Sequence, residues 1–139
     1  MARPRRMPPA YDAIARALLA LPFLASGASR LLDARPFVEA LSGAGLVFPD
    51  EINYVSAAVE LAGALCLVLR VRVWVASTAL YLYLLPFAFV LHGLPAQESA
   101  AHGLLLARDL AVAGGLVLLA GVHRHDRRAG FGAPRVPAP

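Results

Sequence analysis

Residues 73–91 carry no charged side chain at all, and that stretch constrains the chain more than any other feature. A helix needs about twenty mostly apolar residues to cross the hydrocarbon core of a bilayer. Residues 11–32, 53–69 and 99–122 approach the same requirement, although each holds a few ionisable groups. The chain has 139 residues, is 59% apolar and has a mean hydropathy of +0.64. One domain of that size cannot hide so much apolar surface in a water-soluble core. The expectation is therefore an all-α membrane four-helix bundle, with lipid as the medium for its outer faces.

The arginines give this bundle an orientation. All thirteen basic residues are arginine, and most stand where apolar stretches end. Arg3, Arg5 and Arg6 precede span one, Arg70 and Arg72 follow span two, and Arg124, Arg127, Arg128 and Arg135 follow span four. An even span count puts these regions on one side. The opposite side holds Arg30 and Arg35, offset by Asp33, Glu39, Asp50 and Glu51. The positive-inside rule then places both termini in the cytoplasm. Residues 1–10 read as an Arg-rich cytoplasmic tail, 11–123 as the membrane domain and 124–139 as a flexible cytoplasmic tail. The lysine-free composition fits a GC-rich bacterial genome, hence a multi-pass protein of the bacterial inner membrane. A cleavable signal peptide is a rival reading of the first span, but its removal would leave three spans and break the charge alternation. A net charge of +4 does not indicate nucleic-acid binding, because the basic residues cap apolar segments and form no basic face with interleaved aromatics.

Between spans one and two, Phe37, Val38 and Leu41 share one side of a short helical stretch, with Arg35, Glu39 and Ser42 elsewhere. Gly43, Gly45 and Pro49 end it. A short amphipathic interfacial helix is expected there. Pro86 is expected to kink span three. The single cysteine, Cys66, excludes an internal disulfide and reads as a small buried thiol.

Ionisable groups in a bilayer are costly, roughly 2.5–3.5 kcal/mol each at the centre by insertion scales, so they should face inward and pair. Glu60, Arg108 and Asp109 fall near the midplane, Arg16 toward the cytoplasmic side and Arg30 near the outer boundary. The expected ion pair is Glu60 with Arg108. Ser56, Ala57, Gly63 and Ala64 surround Glu60 at helical spacing. Gly103, Ala107, Ala111 and Gly115 form a small-residue row for close helix approach, and Arg16, Ala20, Phe23, Gly27 and Arg30 make a second inward stripe. Such a pair can simply fix helix order. Two acids against one arginine also leave a carboxyl able to hold a proton beside apolar space, which suits a quinone headgroup or a proton step. Of the mid-span tyrosines Tyr81 and Tyr83, either can hydrogen-bond across the bundle. His92 and His102 flank the outer loop, His123 and His125 the cytoplasmic end, and all four read as solvated interface residues. His102 and Asp109 share a face but stand two turns apart. Neither histidine pair has metal-ligand spacing with carboxylates. No phosphate loop, dinucleotide fingerprint or nucleophile elbow is present.

Four segments in order resemble the DoxX family of small four-helix membrane proteins. They are Phe23-Leu-Ala-Ser-Gly-Ala-Ser-Arg30-Leu-Leu-Asp33, Gly45-Leu-Val-Phe-Pro49, Ala58-Val-Glu60-Leu-Ala-Gly63-Ala-Leu-Cys-Leu, and Arg108-Asp-Leu-Ala-Val-Ala-Gly-Gly115-Leu-Val-Leu-Leu. The resemblance spans about residues 12–123. It implies a four-helix membrane fold and a helper subunit that works with a quinone-linked membrane oxidoreductase, with no catalysis of its own. The family often has Asn after the span-four basic residue, where this chain has Asp109. The candidate ligand-binding residues are thus Glu60, Arg108, Asp109, His102, Arg16 and Arg30, with quinone as the candidate ligand, no metal, and a redox subunit or a second copy as partner. The competing readings are an oligomeric carrier of small solutes or protons, and a purely structural anchor.

Overall fold

The computed structural model describes residues 8–93 and 99–131. The elements are α1 (Pro9–Leu32), α2 (Arg35–Gly43), α3 (Pro49–Val68), α4 (Val73–Ala88), a π-helical turn (Phe89–Gly93) and α5 (Ala100–Phe131). Four helices are long and apolar enough to cross a membrane: Pro9–Leu32, Pro49–Val68, Val73–His92 and Ala100–Arg124. The expected all-α membrane bundle with a short helix between spans one and two is what forms. Two boundaries moved. The second span starts at Pro49 because Pro suits the first helical turn, and Asp50 and Glu51 beside it favour the positive end of the helix dipole. At the other end, α5 continues to Phe131, so the segment expected to be flexible from residue 124 begins as helix.

Packing follows the small residues. α1 lies mainly on α3 and α4 mainly on α5, α3 joins the two pairs, and α1 meets α5 only sparsely. At Gly27 a Cβ would fall 2.8 Å from Leu61 Cγ and 3.3 Å from the Ala57 carbonyl oxygen, so α1 and α3 approach to backbone distance. At Gly63 a Cβ would fall 2.7 Å from Leu80 Cγ, which sets α3 against α4. The half of the bundle nearest the termini is filled by Ala20, Phe23, Ala64, Leu67, Val73, Ala76, Leu80, Leu116 and Leu119. Outward rows such as Leu18, Leu21, Leu104 and Leu118 are exposed apolar surface suited to acyl chains.

The expected stripe of α1 is buried at Arg16, Ala20, Phe23 and Gly27, with Arg30 partly so. The expected row on α5 holds only in part: Gly115 lies under Leu19 of α1. Ala107 and Ala111 are exposed, because a strict fourth-residue spacing drifts about 40° per step around a 3.6-residue helix. The buried face of α5 runs through Asp109, Ala113, Leu116 and Leu119.

The start of α1 and the C-terminal part of α5 lie at one end of the bundle, where three helices are pinned. Arg16 donates from Nε to Asp12 at 3.1 Å and from Nη1 to the Leu67 carbonyl at 3.0 Å. A cation on the last carbonyls of α3 complements that helix's negative end. Asp12 Oδ1 also lies 3.3 Å from His123 Nε2 on α5, so His123 is an interhelical contact rather than a solvated residue.

Candidate functional site

In the other half of the bundle the helices leave a chamber of about 550 Å³, with α2 along its outer end. Its walls come from all five helices and the π turn, and they carry two polar clusters.

The first cluster centres on Arg30. Its Nη2 lies 3.0 Å from Glu60 Oε1, and its Nη1 donates to the Tyr83 hydroxyl at 2.9 Å. The guanidinium sits over the Phe37 ring at 3.6 Å from the centroid, a stacked cation–π geometry that also anchors α2. Phe37 and Tyr83 in turn both contact Phe87. The amphipathic reading of α2 explains this: Leu41 is fully buried, and Phe37 and Val38 are partly so, while Arg35, Glu39 and Ser42 are exposed. Glu60 Oε2 is buried with no protein partner.

The second cluster centres on Asp109. Its Oδ1 accepts from Arg108 Nε at 3.0 Å and Nη2 at 2.9 Å. Its Oδ2 lies 3.7 Å from His92 Nε2, an ion-pair distance too long for a hydrogen bond. The His92 and His102 rings are 6.0 Å apart, and Nδ1 of each is buried without a partner. His92 is delivered by the π turn, which follows Pro86 after one helical turn. Proline removes an intrahelical donor and widened turns recur where helices adjust to such losses.

These distances correct the expected pairing. Glu60 pairs with Arg30, not with Arg108, whose side chain is 62% exposed and bonds to its own neighbour. The cause is angular: Arg108 and Asp109 stand about 100° apart on α5, so the face that buries Ala113 and Leu116 admits only Asp109. The structure brings Glu60, Arg30, Asp109, His102 and Arg108 to one chamber. Arg16 is held apart at the terminal end. His92, expected to be a solvated interface residue, lines the chamber with 22% of its side chain exposed. It stands four residues beyond buried Ala88 and so extends that buried face, which is the signal that could have placed it. Tyr83 does hydrogen-bond across the bundle. Among the described residues no group of three His, Cys, Asp or Glu side chains is placed to hold a metal ion.

No curated protein and no solved structure matches the chain. The DoxX family model matches residues 11–93, from α1 through the π turn, and so takes in Arg30, Glu60, Tyr83 and His92 but not Asp109. With more than half of its length matched in this way, the chain belongs to the DoxX family.

Proposed function

We propose that this protein is a non-catalytic membrane subunit that holds the headgroup of a lipid-phase quinone in the chamber beneath α2 and works beside a redox partner. The observation that carries this reading is one half-open, aromatic-lined space with two polar clusters in its walls and three buried polar atoms without a hydrogen-bond partner, Glu60 Oε2, His92 Nδ1 and His102 Nδ1. Buried polar atoms without partners favour an occupant that can pair with them. A volume near 550 Å³ lies in the usual range for small-molecule pockets. The residues fit a ring bearing two carbonyl oxygens. The Tyr83 hydroxyl accepts from Arg30 beside the Glu60 carboxylate, the two histidine ring nitrogens without partners stand in the second cluster, and Phe37 and Phe87 offer ring surfaces. A bound quinone supplies two-electron, two-proton redox chemistry; the chain supplies position and hydrogen bonds.

The same geometry weighs against the carrier reading. The apolar packing from Ala20 to Leu119 separates the chamber from the Asp12–Arg16–His123 end, so conduction would require that core to open. Orientation completes the proposal: with both termini cytoplasmic in a bacterial inner membrane, the chamber lies in the outer half of the bilayer.

The test is calorimetric titration of decylubiquinone into the protein in nanodiscs, against empty nanodiscs. Saturable binding is expected, and Tyr83→Phe should weaken it about three- to tenfold, the value of one hydrogen bond. Heats indistinguishable from empty discs would refute it. Mild-detergent copurification then reads the partner, with a reproducible redox subunit expected.

A further inference from the structure

How a ligand reaches the chamber is written in the way α1 and α5 meet. Near the terminal end they are joined twice, by Asp12 to His123 at 3.3 Å and by Leu19 over Gly115, where a Cβ would fall 2.8 Å from Leu19 Cδ2. Taken over their whole length, the two helices pack on each other far less than on their other neighbours. Ser26 and Arg108 each stand seven residues farther from the terminal end than the Leu19–Gly115 contact, about 10.5 Å along antiparallel axes. They therefore stand at one level, and both line the chamber, as do Pro22 and Val112 just below them. Pro22 and Arg108 are also exposed, as Ser29, Asp33, Pro36 and Ala40 are at the α2 end of the same chamber. Pro22 and Arg108 thus belong at once to the cavity wall and to the exposed surface, and unlike Asp33, Pro36 and Ala40 at the α2 end both lie within the spans, where lipid is the neighbour.

The position of Arg108 fits that opening. Its guanidinium is mostly exposed at a depth where a lipid-facing charge is disfavoured. Among the described residues it is held only by Asp109 Oδ1, and its Nη1 has no acceptor there. At the edge of a slot, such a group can meet a polar headgroup passing from the bilayer inward.

We propose that the ligand reaches the chamber sideways from the bilayer, through a slot between α1 and α5 edged by Ser26 and Pro22 on one side and Arg108 and Val112 on the other. The occupant is an amphiphile with an oxygen-bearing headgroup and a long apolar tail, the tail remaining in the slot. The ligand identity rests on the quinone reading above; the slot itself rests on helix geometry.

Two measurements separate those claims. In a Cys66→Ala background, Ser26→Cys with Arg108→Cys is bridged by a short flexible bismaleimide in nanodiscs, and decylubiquinone uptake and release are followed by stopped flow. The bridge should slow both by about tenfold or more, as closing a gate does. A bridge that forms and leaves both rates within about twofold overturns the slot, and so does failure to form the bridge, because the two positions then do not share a level. If the unbridged protein does not bind decylubiquinone, the quinone reading falls while the slot is read independently. A spin label at Val112→Cys should be relaxed by lipid-dissolved oxygen and become shielded on bridging. A label already shielded before bridging overturns the slot.

Discussion

Arg30 spans the gap between the end of α1 and the middle of α3, so that its Nη2 lies 3.0 Å from Glu60 Oε1 while its ring-facing side rests on Phe37. One side chain thereby ties α1, α2, α3 and, through Tyr83, α4. Both partners are largely buried, with 13% and 4% of their side chains exposed. Removing one strands the other charge, which costs about 3–5 kcal/mol. Arg30→Gln and Glu60→Gln should each lower stability by that order in denaturant titrations in mild detergent, and the double variant should lose much less than their sum. Additive losses would mean that the two residues do not act as a pair.

The glycines make a sharper steric prediction. Gly27→Ala places a methyl against a backbone oxygen that cannot swing away, the Ala57 carbonyl, as well as against Leu61. Overpacking of this kind costs about 1–3 kcal/mol. Gly114 has nothing within 4 Å of its Cβ position, so Gly114→Ala should be neutral or stabilising by up to about 1 kcal/mol, since Gly is a poor interior helix residue. Thermal unfolding of the two variants side by side checks both signs at once. Equal effects would contradict the close approach of α1 and α3.

At the terminal end, Arg16→Gln removes the donor to the Leu67 and Val68 carbonyls and the partner of Asp12. The last turn of α3 then loses its cation, and a loss of about 1–2 kcal/mol is expected. Hydrogen exchange should report it locally, with faster exchange in the last turn of α3 and no change around Tyr83. Uniform acceleration across all helices would argue against a local cap.

Periodicity and hydropathy were enough for the span count and for the amphipathic α2, because lipid exposure imposes an apolar pattern on every turn. The small neighbours of Glu60 were equally legible, since they follow from spacing on one helix: Ser56, Ala57 and Ala64 are all buried. What depth along a span could not give was rotation about the helix axis, and the Glu60 partner depended on rotation. Nor does depth account for the length of an arginine, which lets Arg30 reach inward from near the span end. His92 was obscured by the opposite problem: it sits at the span end in number, yet the turn after Pro86 carries it into the chamber.

Asp109 and Arg108 are neighbours in sequence with opposite surroundings, and that asymmetry is measurable. Asp109 is 8% exposed and stands against His92, whereas the Arg108 side chain is 62% exposed. Asp109→Ala removes the only acceptor of the Arg108 guanidinium among the described residues and leaves His92 without its carboxylate, so a loss of about 1–3 kcal/mol is expected. Arg108→Ala removes a mostly exposed cation whose screened pairing is worth little, about 0–1 kcal/mol, and relieves the burden of holding a charge against acyl chains. Its effect should therefore be small and of either sign. Urea or dodecyl-sulfate titrations of both variants in the same detergent decide the matter. If Arg108→Ala proves the more damaging change, α5 is rotated from the face described, and Arg108 rather than Asp109 points into the bundle.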